Sequence, residues 1–91
     1  MHYIISYDIP NDRRRTKLAK MLLDFGDRVQ YSVFEARLDQ ELFDKLIKGI
    51  NRTINEQEDS VRIYPMCATC QKGMIIIGKG PVLEDQDVYI L

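Results

Sequence analysis

The sequence predicts a small α+β domain in which two helices pack on one face of a single sheet. Strand-like runs rich in β-branched and aromatic residues alternate along the chain with two segments whose apolar residues recur at helical spacing. The 91 residues suffice for one domain, which we place over the whole range 1–91. A composition of 45% hydrophobic and 30% charged residues is ordinary for a folded soluble domain.

Residues 2–8 are predicted to form the first strand, because they combine β-branched and aromatic side chains and end before a proline. Asn11 or Asp12 then caps a helix that we expect to run to about Phe25. Gly26 is predicted to follow this helix in the left-handed conformation, which glycine adopts without steric cost. Helical spacing predicts a core stripe of Leu18, Ala19, Leu22, Leu23 and Phe25.

Residues 28–38 again resemble a strand, but one that is long against the usual length of roughly five or six residues. We therefore expect a kink or bulge near Tyr31 and Ser32, or two short strands there. A second helix is predicted over residues 40–55, capped by Asp39 and followed by a polar loop to residue 59. Its apolar stripe comprises Leu42, Phe43, Leu46, Ile47, Ile50 and Ile54.

The C-terminal third of the chain is predicted to hold short strands joined by turns. Residues 60–65 form a strand, residues 67–73 a turn that contains both cysteines, and residues 74–77 an apolar strand. The segment 78–91 ends in a second apolar run, 87–91. We expect that run to pair with a sheet edge of its own chain or of a partner.

The predicted order is strand, helix, one or two strands, helix and two strands, followed by the C-terminal strand. Two helices cover only one face of a sheet, and the alternation places apolar side chains on the other face as well. Such a face needs cover. We therefore expect two copies of the chain to pack face to face about a two-fold axis.

Charge is unevenly distributed along a chain whose formal net charge is −1 and whose pI is near 5.7. That balance argues against indiscriminate binding of nucleic acid over the whole surface. Residues 11–20 nevertheless hold five basic residues and one acid, whereas residues 84–87 hold three acids and no base. A local basic patch is therefore expected near the start of the first helix.

Four basic residues in the first turns of that helix are candidate contacts for nucleic acid. The helix macrodipole disfavours cations there, and backbone phosphates would offset that cost through bidentate pairs. A solvated face whose charges pair with acidic side chains is the alternative. The four residues are Arg13, Arg14, Arg15 and Lys17.

A charged residue, Arg28, is followed at short intervals by the aromatic residues Tyr31 and Phe34. Proteins that bind single-stranded nucleic acid combine basic and aromatic residues in this way. At strand spacing the two rings are equally explained as core residues.

Asp8 stands at the end of the first strand, where a carboxylate can bind Mg²⁺ or Mn²⁺. A two-fold axis nearby would bring two such carboxylates together, and they repel unless a cation lies between them. The alternative is that Asp8 accepts backbone N–H bonds at the following turn. Asp12 is a secondary metal candidate whose simpler role is helix capping.

The single histidine, His2, leaves the serines and cysteines without an obvious base, so a hydrolase would use a metal-activated water. Cys67 and Cys70 have zinc-ribbon spacing, but a structural zinc site needs four ligands and therefore two chains. A redox pair would open a helix, whereas this pair is predicted to join strands. Ordinary turn cysteines kept as thiols are the simplest interpretation.

The N-terminus lacks the basic region and cleavage site of a signal peptide. No apolar run approaches the roughly 18–20 residues of a membrane span. We therefore expect a cytosolic protein with no membrane partner.

Four runs carry a resemblance: Tyr-Asp-Ile at 7–9, Asp-Arg-Arg-Arg at 12–15, Leu-Ala-Lys at 18–20 and Arg-Val-Gln-Tyr-Ser-Val-Phe-Glu at 28–35. Together they resemble the small CRISPR-associated adaptation protein, the Cas-two family. The similarity extends over nearly the whole chain, including the Tyr-Pro strand at 64–65, the Cys-x-x-Cys turn and the C-terminal strand. The run at 28–35 is the most specific of these signatures.

The resemblance implies a ferredoxin-like βαββαβ sandwich with an additional C-terminal strand, and a symmetric homodimer with the first-strand aspartates near its axis. It implies an Mg²⁺- or Mn²⁺-dependent endonuclease, a phosphodiesterase acting on single-stranded RNA or double-stranded DNA. It also implies assembly with the CRISPR integrase, the first CRISPR-associated protein, for spacer acquisition in the cytoplasm of a prokaryotic cell.

Catalytic positions of the family match Tyr7, Asp8, Arg15, Arg28 and Phe34, with Asp8 as the metal ligand. A position that is often arginine is Lys17 here, which keeps the charge but loses the bidentate fork. Two alternatives stay open. One is a non-catalytic scaffold that bridges integrase dimers and grips a DNA duplex, and the other is a toxin-like mRNA nuclease of the related VapD group.

Overall fold

A computed structural model describes residues 1–73, 75–78 and 89–90 of the chain. Its elements are β1 (His2–Asp8), α1 (Asp12–Leu22), β2 (Gly26–Gln30), β3 (Val33–Arg37), α2 (Gln40–Thr53), β4 (Ser60–Met66), α3 (Ala68–Lys72), β5 (Ile75–Ile76) and β6 (Tyr89–Ile90). None of the helices in this part of the chain has the length and apolar character that a membrane span requires.

Strands β1 to β4 form one antiparallel sheet in the order β2-β3-β1-β4. The central strand β1 places Ile5 between Phe34 of β3 and Ile63 of β4. With α1 and α2 as the crossovers, this is the ferredoxin-like βαββαβ arrangement, so the predicted fold class is confirmed.

Helices α1 and α2 cover one face of the sheet, and the core lies between the two layers. Tyr3 of β1 stacks on Phe43 of α2 with ring centroids 4.7 Å apart. Leu23, just past α1, and Leu42, in the first turn of α2, were predicted for the core but are exposed. The buried apolar side chains are Ile5, Tyr7, Ile9, Leu18, Ala19, Leu22, Phe34, Ala36, Leu38, Leu46 and Ile50.

The long strand-like run at 28–38 is divided into two strands, as predicted. Strands β2 and β3 form a hairpin whose turn is Tyr31 and Ser32, and the pairing register shifts between Arg28 and Gln30. Helix α2 is capped by Asp39, which accepts a hydrogen bond from the backbone N–H of Leu42.

Helix α1 ends at Leu22, three residues before the predicted end at Phe25. The N–H groups of Asp24 and Phe25 turn back to the carbonyls of Met21 and Leu22, which tightens the last turn. Gly26 is the first residue of β2, so the predicted left-handed cap was wrong. Glycine is required there because a Cβ would lie 2.0 Å from the Glu35 carbonyl oxygen.

The cysteine segment is a short helix, α3, where the sequence predicted a turn. The backbone N–H of Gly73 donates to the Thr69 carbonyl, which closes a helical turn. Within the predicted strand 74–77, Ile75 and Ile76 form β5, which pairs in parallel with β6. Residue 74, residues 79–88 and residue 91 lie outside the described residues, so only β6 represents the predicted run 87–91.

The sheet face opposite the helices is mixed in character, whereas the sequence predicted an apolar one. Because Ile5 and Tyr7 point into the core, their neighbours along β1 point away from it. The strand register places on this face Ile4, Ser6, Asp8, Val33, Glu35, Arg37, Ser60, Arg62, Tyr64 and Met66.

Candidate nucleic-acid and metal site

Asp8 is exposed at the end of β1, directly opposite Ser60 of β4. Its side chain lies on the face away from the helices and lines a cleft there. The residues that line this Asp8 cleft are Ser6, Tyr7, Asp8, Ser60, Arg62 and Tyr64. The predicted metal ligand is therefore accessible, and hydroxyl groups and a guanidinium lie beside it.

The donor set of the cleft suits a hard cation. A carboxylate and two serine hydroxyls are the oxygen ligands that Mg²⁺ accepts, and Mg²⁺ keeps several waters of its own. Among the described residues that line the cleft, Asp8 is the single carboxylate, and no group of three or more His, Cys, Asp or Glu suited to a metal occurs in the described part of the chain. The cleft of one chain therefore presents a single carboxylate among its described residues.

Arg62 and Tyr64 belong to the cleft, and sequence reasoning did not select them. A hydrogen bond to Tyr64 raises the pKa of Arg62 above its ordinary value. The alternation of β4 already predicted that these two side chains share a face. Their partner Asp8 was not predictable, because it depends on the register between β1 and β4.

Arg15 braces the loop that follows Asp8. Its Nη1 donates to the carbonyl oxygen of Ile9 at 2.9 Å and to that of Pro10 at 3.4 Å, and its Nη2 pairs with the Asp12 carboxylate. The predicted catalytic arginine thus holds the backbone next to Asp8 in place. The carboxylate of Asp12 is used by this pair, and Asn11 caps the helix.

Arg14, which was predicted among the phosphate contacts, is bound to acidic side chains of its own chain. Its Nε and Nη2 donate to the two carboxylate oxygens of Asp59 at 2.8 and 3.1 Å, and Nη2 also donates to Glu58 at 2.8 Å. The side chain of Asp59 is 0% exposed. Arg14 therefore ties α1 to the loop before Ser60, the residue opposite Asp8.

Three basic side chains of α1 do remain exposed on one helix face. Arg13, Lys17 and Lys20 follow one another at helical spacing, and we call them the basic strip. They line an open groove together with Asp12 and Thr16. The described ion pairs and hydrogen bonds leave the three side chains of this strip to solvent, so their charges are accessible to a phosphate backbone.

The carbonyl oxygen of Tyr31 gathers three donors at the tip of the β2–β3 hairpin. Arg28 donates to it through Nε at 3.0 Å and Nη2 at 2.6 Å, and the Tyr7 hydroxyl donates at 3.1 Å. The Tyr7 backbone N–H also donates to the Ser32 carbonyl. The hairpin tip is therefore attached to β1 at the residue before Asp8.

Tyr7 and Phe34, which were predicted as catalytic positions, are core residues in this chain. Tyr7 is 4% exposed and Phe34 is 0% exposed, with ring centroids 6.3 Å apart. The guanidinium of Arg28 lies 5.6 Å from the centre of the Phe34 ring. The hydroxyl of Tyr7 and the ring of Phe34 thus support the hairpin tip and Arg28.

The side chain of Tyr31 is a candidate that sequence reasoning left open. It is 91% exposed at the hairpin tip, beside an open depression lined by residues 28–32. An exposed ring next to an arginine can stack on a nucleobase. The strand-like run at 28–38 is too long for one strand, and the turn that divides it falls at this residue. That length was the feature of the sequence that indicated an exposed Tyr31.

The chain matches the family model described as CRISPR associated protein Cas2 over residues 1–74. It is 47% identical to the CRISPR-associated endoribonuclease Cas2 1 of Chloroflexus aurantiacus over the full length of both chains. It is 40% identical to the CRISPR-associated endonuclease Cas2 2 of Thermus thermophilus, over 98% of this chain and 94% of that protein.

Two solved structures share the fold. A hypothetical protein from Thermus thermophilus superposes with a TM-score of 0.81 at 42% identity, covering 89% of this chain and 94% of that one. Streptococcus pyogenes Cas2, crystallised at pH 6.5, superposes with a TM-score of 0.74 at 29% identity, covering 81% and 95%. Sequence and topology thus agree, and the chain belongs to the CRISPR-associated protein Cas2 family.

Proposed function

We propose that this protein is an endonuclease that acts as a homodimer and cleaves phosphodiester bonds in RNA or double-stranded DNA. The observation that carries the proposal is the accessible Asp8 carboxylate, which faces a cleft of hydroxyls and an arginine at the end of β1. The curated relatives named above as endoribonuclease and endonuclease support it.

The proposed dimer brings the Asp8 cleft of each copy to a two-fold axis. The two Asp8 carboxylates of the dimer would then together hold one Mg²⁺ or Mn²⁺, with Ser6 and Ser60 beside them as further oxygen groups. When bound, such an ion lowers the pKa of a coordinated water and neutralises charge on the phosphate. Without a cation, two carboxylates at the axis would repel each other.

The protein's own residues orient the substrate. Arg62 lies in the cleft and can pair with a phosphate oxygen next to Asp8. Arg15 and Arg28 act indirectly, because each donates to backbone carbonyls and so keeps the loop after Asp8 and the hairpin tip in place. The exposed ring of Tyr31 can stack on a base of an unpaired strand.

The test compares Asp8→Asn with Asp24→Asn, which changes an exposed aspartate that does not line the cleft. With Mg²⁺, Asp8→Asn should lower the cleavage rate at least about a hundredfold, while Asp24→Asn should not. Light scattering should show the same oligomer for both variants. Equal cleavage by highly purified Asp8→Asn protein would contradict the proposal.

A scaffold role in spacer acquisition, with the CRISPR integrase as partner, is the second candidate, and the basic strip favours it. Arg13, Lys17 and Lys20 can follow a duplex backbone without contacting bases. In this role Asp8→Asn would leave spacer acquisition intact. The family match favours both CRISPR roles over the toxin-like alternative.

The scaffold role is tested by reversing two charges of the strip, Arg13→Glu with Lys17→Glu. The control is Lys48→Glu, an exposed lysine on α2. Duplex binding by the double variant should weaken, and the slope of log affinity against log salt should fall by about one for each phosphate that the strip no longer neutralises. Unchanged binding and unchanged spacer acquisition would exclude the basic strip as the DNA-binding surface.

A further inference from the structure

Cys67 and Cys70 bring their sulfur atoms close together outside the Asp8 cleft. The two Sγ atoms are 3.3 Å apart, within hydrogen-bonding distance of each other. The backbone N–H of Cys70 also donates to the Cys67 sulfur at 3.4 Å. Both side chains are exposed free thiols, so small molecules can reach the pair.

The two thiols are chemically unequal. The hydrogen bonds from the Cys70 backbone and side chain lower the pKa of Cys67. The same side-chain hydrogen bond and the charge on Cys67 raise the pKa of Cys70. A low-pKa thiol attacks disulfides first, because the thiolate is the nucleophile.

We propose that Cys67 and Cys70 form a reversible redox site that exchanges with small-molecule disulfides such as oxidised glutathione, with Cys67 as the attacking thiol and Cys70 as the resolving thiol. The proposal is independent of the nuclease, since neither cysteine lines the Asp8 cleft. It also uses the local structure that sequence reasoning missed, because the pair stands at the beginning of α3 rather than in an open turn.

The exchange balances in two steps. The Cys67 thiolate attacks one sulfur of the disulfide, forms a mixed disulfide and releases one small thiolate, which takes up a proton. Cys70 then loses its proton and attacks the Cys67 sulfur, which releases the second small thiol. Two protein thiols are oxidised to one disulfide, and one small disulfide is reduced to two thiols.

The second step is favoured by the first. Once Cys67 is a neutral mixed disulfide, its negative charge is gone, and the largest causes that raise the pKa of Cys70 are removed. Cys70 then deprotonates more readily while its sulfur is already beside the bond to be broken. The mixed disulfide should therefore be short-lived in the native chain.

A zinc site shared between two chains is the competing use of the same residues. It would need both pairs, because no third His, Cys, Asp or Glu joins the cysteines among the described residues. The hydrogen bond between the two Sγ atoms holds them 3.3 Å apart within one chain. This proximity favours disulfide exchange over a metal site that would need a second chain.

The experiment treats the reduced full-length chain with excess oxidised glutathione and measures intact mass. The native chain should lose two hydrogens without a lasting adduct. Cys70→Ser should keep one glutathione on Cys67, and Cys67→Ser should react more slowly, by about tenfold at neutral pH. Peptide mapping of the native chain, alkylated briefly, should find Cys67 modified before Cys70.

Three results would overturn the proposal. Stable glutathione on both cysteines of the native chain would mean that the pair does not resolve intramolecularly. Equal reaction rates for the two serine variants would remove the distinction between attacking and resolving thiol. If one zinc ion bound per two chains and protected the thiols from glutathione, the pair would be a shared metal site. Circular dichroism of both variants checks their folding.

Discussion

The hydroxyl of Tyr7 donates to the carbonyl oxygen of Tyr31 at 3.1 Å, across 24 residues of sequence. This bond joins the end of the central strand to the tip of the β2–β3 hairpin. Arg28 donates to the same oxygen, so the hairpin tip is held from two sides. Tyr7 was predicted to be catalytic but is buried. Its hydrogen bond couples the backbone next to Asp8 to the hairpin tip.

Replacing Tyr7 by phenylalanine removes one of these donors and keeps the buried ring. We expect a loss of about 1 kcal/mol in the free energy of unfolding, since a buried hydrogen bond contributes about that much. For a domain of this size the melting temperature should fall by about 4–8 °C. Tyr31→Phe is the control, because its own hydroxyl is on an exposed side chain. Equal melting temperatures for the two variants would refute the role of the bond.

Phe34 should matter for stability rather than for chemistry. Phe34→Ala should cost about 3–5 kcal/mol of folding free energy, since the ring is fully buried. Phe34→Leu keeps most of the apolar volume and should retain cleavage per folded molecule. Denaturant unfolding and cleavage assays on the same samples separate the two effects. A folded Phe34→Leu protein without activity would restore a direct catalytic role for the ring.

The Arg14–Asp59 pair should make the free energy of unfolding depend on pH in acidic solution. Hydrogen bonds from Arg14 lower the pKa of Asp59 below its ordinary value of 3.8. The folded state therefore favours the carboxylate, and this contribution is complete above 3.8 and lost as the pH falls through the lowered value. Arg14→Ala should lower the melting temperature at neutral pH and weaken this acid dependence, while the backbone N–H of Asn55 still lowers the pKa of Asp59. Arg13→Ala, on the exposed strip, should do neither.

Gly26 should tolerate no side chain. A Cβ would lie 2.0 Å from the Glu35 carbonyl oxygen, so β2 would have to move away from β3. Gly26→Ala should cost on the order of 1–3 kcal/mol and displace Arg28, two residues along β2. Gly73→Ala is the matched control, because its Cβ would meet only ordinary contacts at 3.6 Å and beyond. Thermal unfolding of both variants measures the difference.

Local pattern was enough to predict most elements of this fold. The β-branched run of β1, the cap at Asp39 and the break at Tyr31 are each encoded in a few neighbouring residues. The end of α1 was misplaced because the demand for glycine at position 26 comes from the Glu35 carbonyl on the neighbouring strand. Close approach between strands leaves no trace in the local pattern.

The candidate site was predictable only in part for the same reason. Asp8 was recognisable from its place at a strand end, but Arg62 and Ser60 join it through strand pairing. Arg14 looked like its neighbours Arg13 and Arg15, and only its contact with Asp59, 45 residues away, separates their roles. Contacts at such separations depend on tertiary packing, which a single sequence does not display.

Glu35 should make the protein less stable as the pH rises from acid to neutral. Burial, and then the charge of Asp27, raise the pKa of Glu35 above its ordinary value of 4.5. The folded state therefore favours the protonated carboxyl, whose stabilising contribution is complete below 4.5 and lost as the pH rises through the raised value. The neighbouring His2, 3.9 Å away, has the opposite dependence, since burial, Arg37 and the N-terminal amine lower its pKa.

Glu35→Gln stays neutral at every pH and isolates this contribution. The variant should unfold at a higher temperature than the native protein near neutral pH, and the difference should vanish below pH 4.5, the ordinary value for glutamate. Asp27→Asn should also raise the melting temperature near neutral pH, but by less. The charge on Asp27 is the smaller of the two causes that raise the pKa of Glu35. Melting curves from pH about 4 to about 8 test both. Parallel curves for Glu35→Gln and the native protein would show that the buried carboxyl does not titrate in this range.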